Sequence, residues 1–407
     1  MKVYVVDSIM GKGKTSWAIQ NIVLDNRNER FLYITPYLEE TERVVEQCKK
    51  YGVDVHVPDV KKGKGSKAEH LKRLMAEGKS VVTTHALFDR IDEECLDIIK
   101  GKNYTLYMDE VHEVVKQHSL SDQDLELLLN SEYIKVDDRG KIEWVSEDYE
   151  GKFEEFRNLC NLGSLYLYAS QVFVWCFPIS IFEAMGKTYI LTHHFEGQLQ
   201  SSYYRFHNVK YEMLYVVKTH EQTDKKKALY TLIPYKKEYD AKDVEEIAGK
   251  IKIYEGNLNY GKGISLSSTW FNRTDKAIFK SVKNNIVNYF RNIVKGKSDE
   301  NMWTTLKIAK HHLKGDGYSK GFVELNARAT NKYKHKKNLA YVYNRYLNPI
   351  EAGFFKKYGI KVNEDLYALS ELLQWVFRSA IRDGEPINLY LPAERMRRLL
   401  KEYLGKK

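Results

Sequence analysis

At 407 residues and a formal net charge of +10, the chain is long enough to bury two or three cores, and its basic balance with 30 tyrosines suits a partner that carries phosphates and stackable bases. No apolar run approaches the roughly 20 residues needed to cross a bilayer, so no membrane association through a spanning helix is expected. Cys48, Cys95, Cys160 and Cys176 are scattered and form no CxxC pair, which argues against a disulfide framework and a zinc site and for a reduced, cytoplasmic setting. The short N-terminal apolar run leads straight into a glycine turn, so no secretory leader is expected.

Val3 to Val6 reads as a strand that breaks into Gly11-Lys12-Gly13-Lys14-Thr15, with Ser16 continuing into a helix-prone segment. Strand, glycine turn, lysine, hydroxyl and helix are what a phosphate-binding loop requires. Backbone N–H groups of the turn and helix N-terminus face phosphate oxygens, Lys14 reaches the β and γ phosphates, and Thr15 can ligate Mg²⁺. Ser8 stands where the eight-residue form of this loop has glycine. Downstream, Phe31 to Thr35 is a short buried strand ending at Pro36, Leu38 to Tyr51 a charged amphipathic helix, and Val53 to Val57 a further strand. The basic Lys61–Lys67 loop precedes a helix over Lys67 to Glu77; a strand from Ser80 to Leu87 ends in hydroxyls and His85. A helix at Arg90 to Lys100 and an apolar strand, Tyr104 to Met108, then deliver Asp109-Glu110-Val111-His112.

Short apolar strands alternating with amphipathic helices predict an α/β fold with a mainly parallel, doubly wound sheet. Ligands of such sheets sit at the carboxyl ends of the strands. The glycine loop, Thr35-Pro36, Thr84-His85 and Asp109-Glu110 all fall at predicted strand ends, so they are expected along one edge. There Asp109 can hold Mg²⁺ through water, and Glu110 can orient or deprotonate an attacking water.

GKGKT, TP, TTHAL and DEVH, in this order and spacing, resemble the first motor domain of a superfamily 2 helicase of the DExH type. The resemblance implies two RecA-like parallel-sheet domains in tandem with an ATP cleft between them, and ATP and Mg²⁺ as cofactors. It implies nucleic-acid backbone contacts at Thr35, Pro36, Thr84 and His85, and coupling of the ATP site to the cleft through His112. Residues 113–165 read as an acidic insertion of helices and a hairpin, and Tyr189 to Thr192 as the last strand of a first domain ending at residue 197. In the second domain, 198–407, Val244 to Ile251 and Phe279 to Val294 are expected helices. Gly263 to Ser267 is an expected strand before Ser268-Thr269-Trp270, and Trp303 to Leu313 an expected helix. A strand at Gly321 to Leu325 leads into Asn326–Asn331, which resembles the motif V loop and implies strand contacts from Arg328, Thr330 and Asn331. The basic run Lys332–Lys337 beside it suits backbone neutralisation.

Leu366, Leu369, Leu372, Leu373 and Val376 recur at helical spacing, and the helix is expected to end near Asp383-Gly384. Gln374, Arg378 and Arg382 would then project from one face at i, i+4 and i+8. They resemble motif VI, with Gln374 in the nucleotide site and either Arg378 or Arg382 as the finger on the γ-phosphate. Phe377 replaces the family's glycine, and the arginines are four apart rather than three. A strand, Ile387 to Leu391, and a closing helix, Ala393 to Leu404, complete the chain. The whole resembles compact bacteriophage helicases. It implies an ATP-hydrolysing helicase or translocase on single-stranded or branched DNA, RNA being a second substrate class. Phage or host replication proteins are implied partners, and host cytoplasm the location. A duplex-translocating packaging or remodelling ATPase and a non-motor ATP clamp are the alternative readings.

Overall fold

The computed structural model describes residues 1–25, 29–63, 65–146, 149, 151–169, 171–220, 228–326 and 332–406. The chain divides into two compact units. The first comprises Met1–Asp7, Gly13–Pro234 and Asn348–Val362, and the second Ser8–Lys12, Tyr235–Leu347 and Asn363–Lys407.

The first unit is built on a seven-stranded sheet. Its strands are β1 (Lys2–Asp7), β2 (Phe31–Thr35), β3 (Val81–Thr84) and β4 (Thr105–Asp109), with three more described below. A three-stranded antiparallel sheet and a hairpin interrupt the series: β5 (Val115–His118), β6 (Ile134–Val136), β7 (Ile142–Trp144), β8 (Leu165–Tyr168) and β9 (Val172–Cys176). The main sheet resumes with β10 (Lys187–Thr192), β11 (Tyr211–His220) and β12 (Ala228–Pro234), and its order is β12-β11-β1-β10-β4-β2-β3. Every pairing in it is parallel except β11 with β12. Strands buried on both faces need continuous apolar runs, and FLYIT and TLYMD are buried throughout. The connecting helix Leu38–Lys50 buries Val44, Val45 and Cys48, with Glu39 and Glu40 in its first turn and Lys49 and Lys50 in its last, as the helix dipole favours.

Register levels one edge of the sheet. Asp7 pairs with Thr192, Asp109 with Leu191, and Thr35 with Thr84, so the carboxyl ends of five parallel strands are level. The same register places Tyr4, Tyr189, Tyr107 and Tyr33 side by side across β1, β10, β4 and β2. Their rings stack with centroids 5.0, 5.3 and 6.0 Å apart, and Trp17 of the helix Lys14–Gln20 packs edge-on against Tyr189.

The second unit holds a four-stranded, all-parallel sheet of β13 (Ile251–Ile253), β14 (Asn301–Thr304), β15 (Asn338–Tyr341) and β16 (Ile387–Tyr390), in the order β13-β16-β15-β14. Trp303 and Trp375 are fully buried in its core; the Trp375 indole stands edge-on to Tyr341 and donates to the Val323 carbonyl at 3.3 Å.

Several expectations are corrected. The boundary expected at 197/198 lies at Pro234/Tyr235, because β11 pairs with β1 and carries β12 with it. Residues 348–362 also belong to the first unit, where the helix Pro349–Lys357 buries Phe354 against Tyr166 and Phe206. Val53 to Val57 forms only a single bridge, His56 to Val81. Gly263 to Ser267 is a turn with Leu266 at φ 64, and Ser268 opens a helix, Ser268–Arg273, capped by the Ser267 hydroxyl. Asn301–Thr304 is a strand where a helix was expected from Trp303, and the helix is confined to Lys307–Leu313. Gly321 to Leu325 contributes one bridge, Phe322 to Trp303, rather than a strand. The acidic insertion matches expectation, with a helix at Asp122–Asn130, the β6–β7 hairpin and a helix at Glu154–Asn161.

Candidate nucleotide site in the first unit

The loop after β1 gives Gly11 φ 88 and Gly13 φ 101, backbone angles that glycine adopts without steric penalty. Gly13 caps the helix Lys14–Gln20, whose first-turn N–H groups mark an anion-attracting end. Lys14 is buried, Thr15 half-buried and Ser16 exposed. The Thr15 hydroxyl donates to Asp109 Oδ2 at 3.1 Å, joining the glycine loop to the end of β4. Tyr33 donates to the same oxygen at 3.4 Å. Burial, with Glu110 beside it, pushes the Asp109 carboxyl up to about 6.

Glu110 follows in a left-handed conformation, φ 67, with its N–H donated to the Leu191 carbonyl at 3.0 Å. A non-glycine residue held there carries backbone strain of the kind that clusters at functional sites.

His85, Asp89 and His112 form a relay behind this turn. His85 Nε2 meets the Asp109 carbonyl at 3.0 Å, the two Nδ1 atoms are 3.4 Å apart, and His112 Nε2 meets Asp89 Oδ1 at 2.8 Å. Both ends of the relay are acceptors. Gln200 holds the His112 N–H at 2.9 Å. At the end of β1, the buried Asp7 accepts from the backbone of His194 and Phe195 at 2.9 and 2.8 Å, tying the turn after β10 to the end of β1; burial raises its pKa.

Other expected residues land elsewhere. Lys12 lies in the second unit's share of the chain, where its ammonium is 2.7 Å from Asp243 and 2.9 Å from Glu246 rather than directed to a phosphate. Thr35 is buried and donates its hydroxyl to the Tyr37 carbonyl at 2.8 Å, so it presents nothing to a nucleic acid. Pro36 and Thr84 are half-buried, and the His85 ring is committed to the relay. Arg328, Thr330 and Asn331 lie outside the described residues. In the basic run, Lys334 pairs with Asp383 at 3.0 Å, Lys336 with Asp299 at 3.7 Å, and Lys337 with Glu385 at 3.6 Å, so much of its charge is neutralised internally.

The single helical face expected for Gln374, Arg378 and Arg382 is absent. The helix Glu364–Val376 ends before either arginine. Ser379 turns back onto the Val376 carbonyl through both its N–H and its hydroxyl, and Ala380 N–H leaves for the Lys336 carbonyl. Gln374 is on the helix, Arg378 is buried in the turn, and Arg382 is half-buried in a 3₁₀ segment, Ala380–Asp383. Residues that sequence reasoning missed are Asp7, Asp89 and Tyr33; the tyrosine could have been found, because each of four strands carries Tyr two or three positions before its terminal polar residue.

Among the described residues, no helix is long and apolar enough to cross a membrane. Residues 245–404 match the YonV C-terminal Rossmann-like domain, in keeping with the parallel sheet of the second unit, and residues 115–175 match the YonV middle domain, the span from β5 to β9. The SPbeta prophage-derived protein YonV of Bacillus subtilis (strain 168) is 40% identical over 417 residues, which cover 99% of this chain and 98% of that protein. The phage connection expected from the sequence agrees with that origin.

Proposed function

We propose that this chain, which belongs to the YonV family, is an ATP hydrolase that works as a helicase or translocase on nucleic acid. The observation that carries the hydrolase reading is the Thr15–Asp109 contact at 3.1 Å, beneath a glycine loop and a helix N-terminus. This hydroxyl and carboxylate have the hard-oxygen chemistry for Mg²⁺, and Thr15 would hold the ion directly and Asp109 through water. Bound there with the nucleotide, Mg²⁺ would neutralise charge on the β and γ phosphates.

The protein's own groups supply the rest. N–H groups at Gly13 and the helix start donate to the phosphate oxygens, and Lys14, already buried at the loop, adds a positive charge that a phosphate can satisfy. Glu110 takes a proton from water as the water oxygen bonds to the γ phosphorus and the bond to the β–γ bridging oxygen breaks, leaving ADP and phosphate. The His85–His112–Asp89 relay holds the Asp109 carbonyl and hence the strained turn from which Glu110 projects.

A formal charge of +10 supports a polyanionic partner, with phage-type DNA the first to test and RNA the second. Steady-state phosphate release, measured alone and with single-stranded DNA, duplex DNA and RNA, tests the reading. Stimulation by single-stranded or forked DNA supports a helicase, and stimulation by duplex alone supports a translocase that does not separate strands. Hydrolysis indifferent to every nucleic acid removes the motor.

A further inference from the structure

We infer that Tyr230 is the platform on which the nucleobase stacks, an assignment that rests on the phosphate-loop reading above and gives the site its substrate class, nucleoside triphosphates rather than polyphosphates. β1 lies near the middle of its sheet. Asp109 ends β4, two strands to one side, and Tyr230 lies on β12, two strands to the other. Both reach the loop that follows β1. On one side Thr15 meets Asp109 at 3.1 Å; on the other the Tyr230 ring packs on Gly13, where an added Cβ would stand only 2.2 Å from the ring's Cε1.

A triphosphate is directional. With its γ end at Thr15 and Asp109, a triphosphate laid across the loop would put its α end on the β11 and β12 side. The nucleoside is therefore carried to the side where Tyr230 stands. The backbone at Tyr230 is also held in place: the Gln20 side-chain amide donates to the Tyr230 carbonyl at 3.0 Å and accepts from the Tyr230 N–H at 2.9 Å. Gln20 belongs to the helix that begins at the glycine loop, so loop, helix and tyrosine are tied as one piece. Tyr230 is half-buried at the border of the core that holds Trp17 and Tyr33. Stacking on one aromatic face accepts any base, so the site distinguishes a nucleotide from a bare polyphosphate more sharply than one base from another.

The test compares Mg²⁺-dependent binding of ATP and of inorganic tripolyphosphate to the full chain, by calorimetry, for wild type, Tyr230→Ala, Tyr230→Leu and Tyr230→Phe. A single base–aromatic stack corresponds to about a 5- to 160-fold gain in affinity. Tyr230→Ala and Tyr230→Leu should weaken ATP by that factor and leave tripolyphosphate unchanged, and Tyr230→Phe should restore ATP. The leucine keeps apolar bulk against Gly13, so it separates loss of the stack from loss of packing. Equal weakening of both ligands, unchanged ATP binding or tighter ATP binding in the leucine variant would each overturn the assignment while leaving the phosphate loop standing. Failure of wild type to bind either ligand would overturn the phosphate loop itself, and the tyrosine's role with it.

Discussion

Replacing Asp109 by asparagine keeps the shape of the side chain and removes a buried negative charge. The carboxyl is raised from an ordinary 3.8 to about 6 by burial first and by Glu110 second. Its folded pKa thus exceeds its unfolded one, so the folded state holds the proton more tightly. Stability from this group is fully present below about pH 4 and is lost as pH rises through about 6. At about 1.4 kcal/mol per pH unit, ionised Asp109 costs the metal-free fold about 3 kcal/mol above pH 7. The asparagine would not titrate, yet it can still accept from Thr15 and Tyr33. In EDTA, the stability difference between Asp109→Asn and wild type should therefore grow by about 2 kcal/mol from pH 4.5 to 7.5, in the variant's favour, when urea unfolding is followed at both pH values. Asp7, whose pKa burial also raises, is common to both proteins and cancels in the difference. The variant should be inactive and should no longer be stabilised by Mg²⁺ with nucleotide, whereas wild type should be. A difference that stays flat between the two pH values would refute the claim that Asp109 holds an uncompensated charge.

Glu110 should show strain and chemistry separately. Because its φ is 67, Glu110→Gly should be more stable than Glu110→Ala by about 1 kcal/mol in thermal or urea unfolding, while both lose at least about 100-fold in turnover and still bind ATP. Equal stability of the two variants would remove the strain, and retained turnover would remove the base. Arg378 and Arg382 should also separate. Arg378 is 3% exposed, so Arg378→Ala should destabilise the fold by about 3 kcal/mol, whereas half-buried Arg382 should tolerate alanine with little change in the unfolding midpoint.

The first unit was largely legible because its information is local. Each strand is a short apolar run, and period and turn chemistry place Thr35, Thr84 and Asp109 at strand ends without knowledge of strand order. Strand order was not legible. That β10 comes from some 80 residues beyond β4 and inserts between it and β1 depends on pairing across the insertion. The same holds for β11 and β12, whose apolar stretches read equally well as the start of a second domain until their pairing with β1 is seen. Helix ends in the second unit misled for a different reason. Gln374, Arg378 and Arg382 have helical spacing, but Ser379 satisfies its bonds at Val376 and the chain leaves to reach Lys336, a tertiary contact that overrides the local pattern. Lys12 and the basic run show the limit of reading charge from composition, since Asp243, Glu246, Asp383, Asp299 and Glu385 meet these cations from distant positions.

The central claim is that Gly11 to Thr15 and Asp109-Glu110 hydrolyse ATP. Phosphate release by purified wild type and Lys14→Ala, with Mg²⁺ and with each nucleic acid in turn, tests it most directly. Wild type should turn over ATP and respond to at least one nucleic acid, and Lys14→Ala should fall to background while its unfolding midpoint and far-ultraviolet circular dichroism stay those of a folded protein. Hydrolysis by Lys14→Ala at the wild-type rate, or none by wild type under any of these conditions, would contradict it.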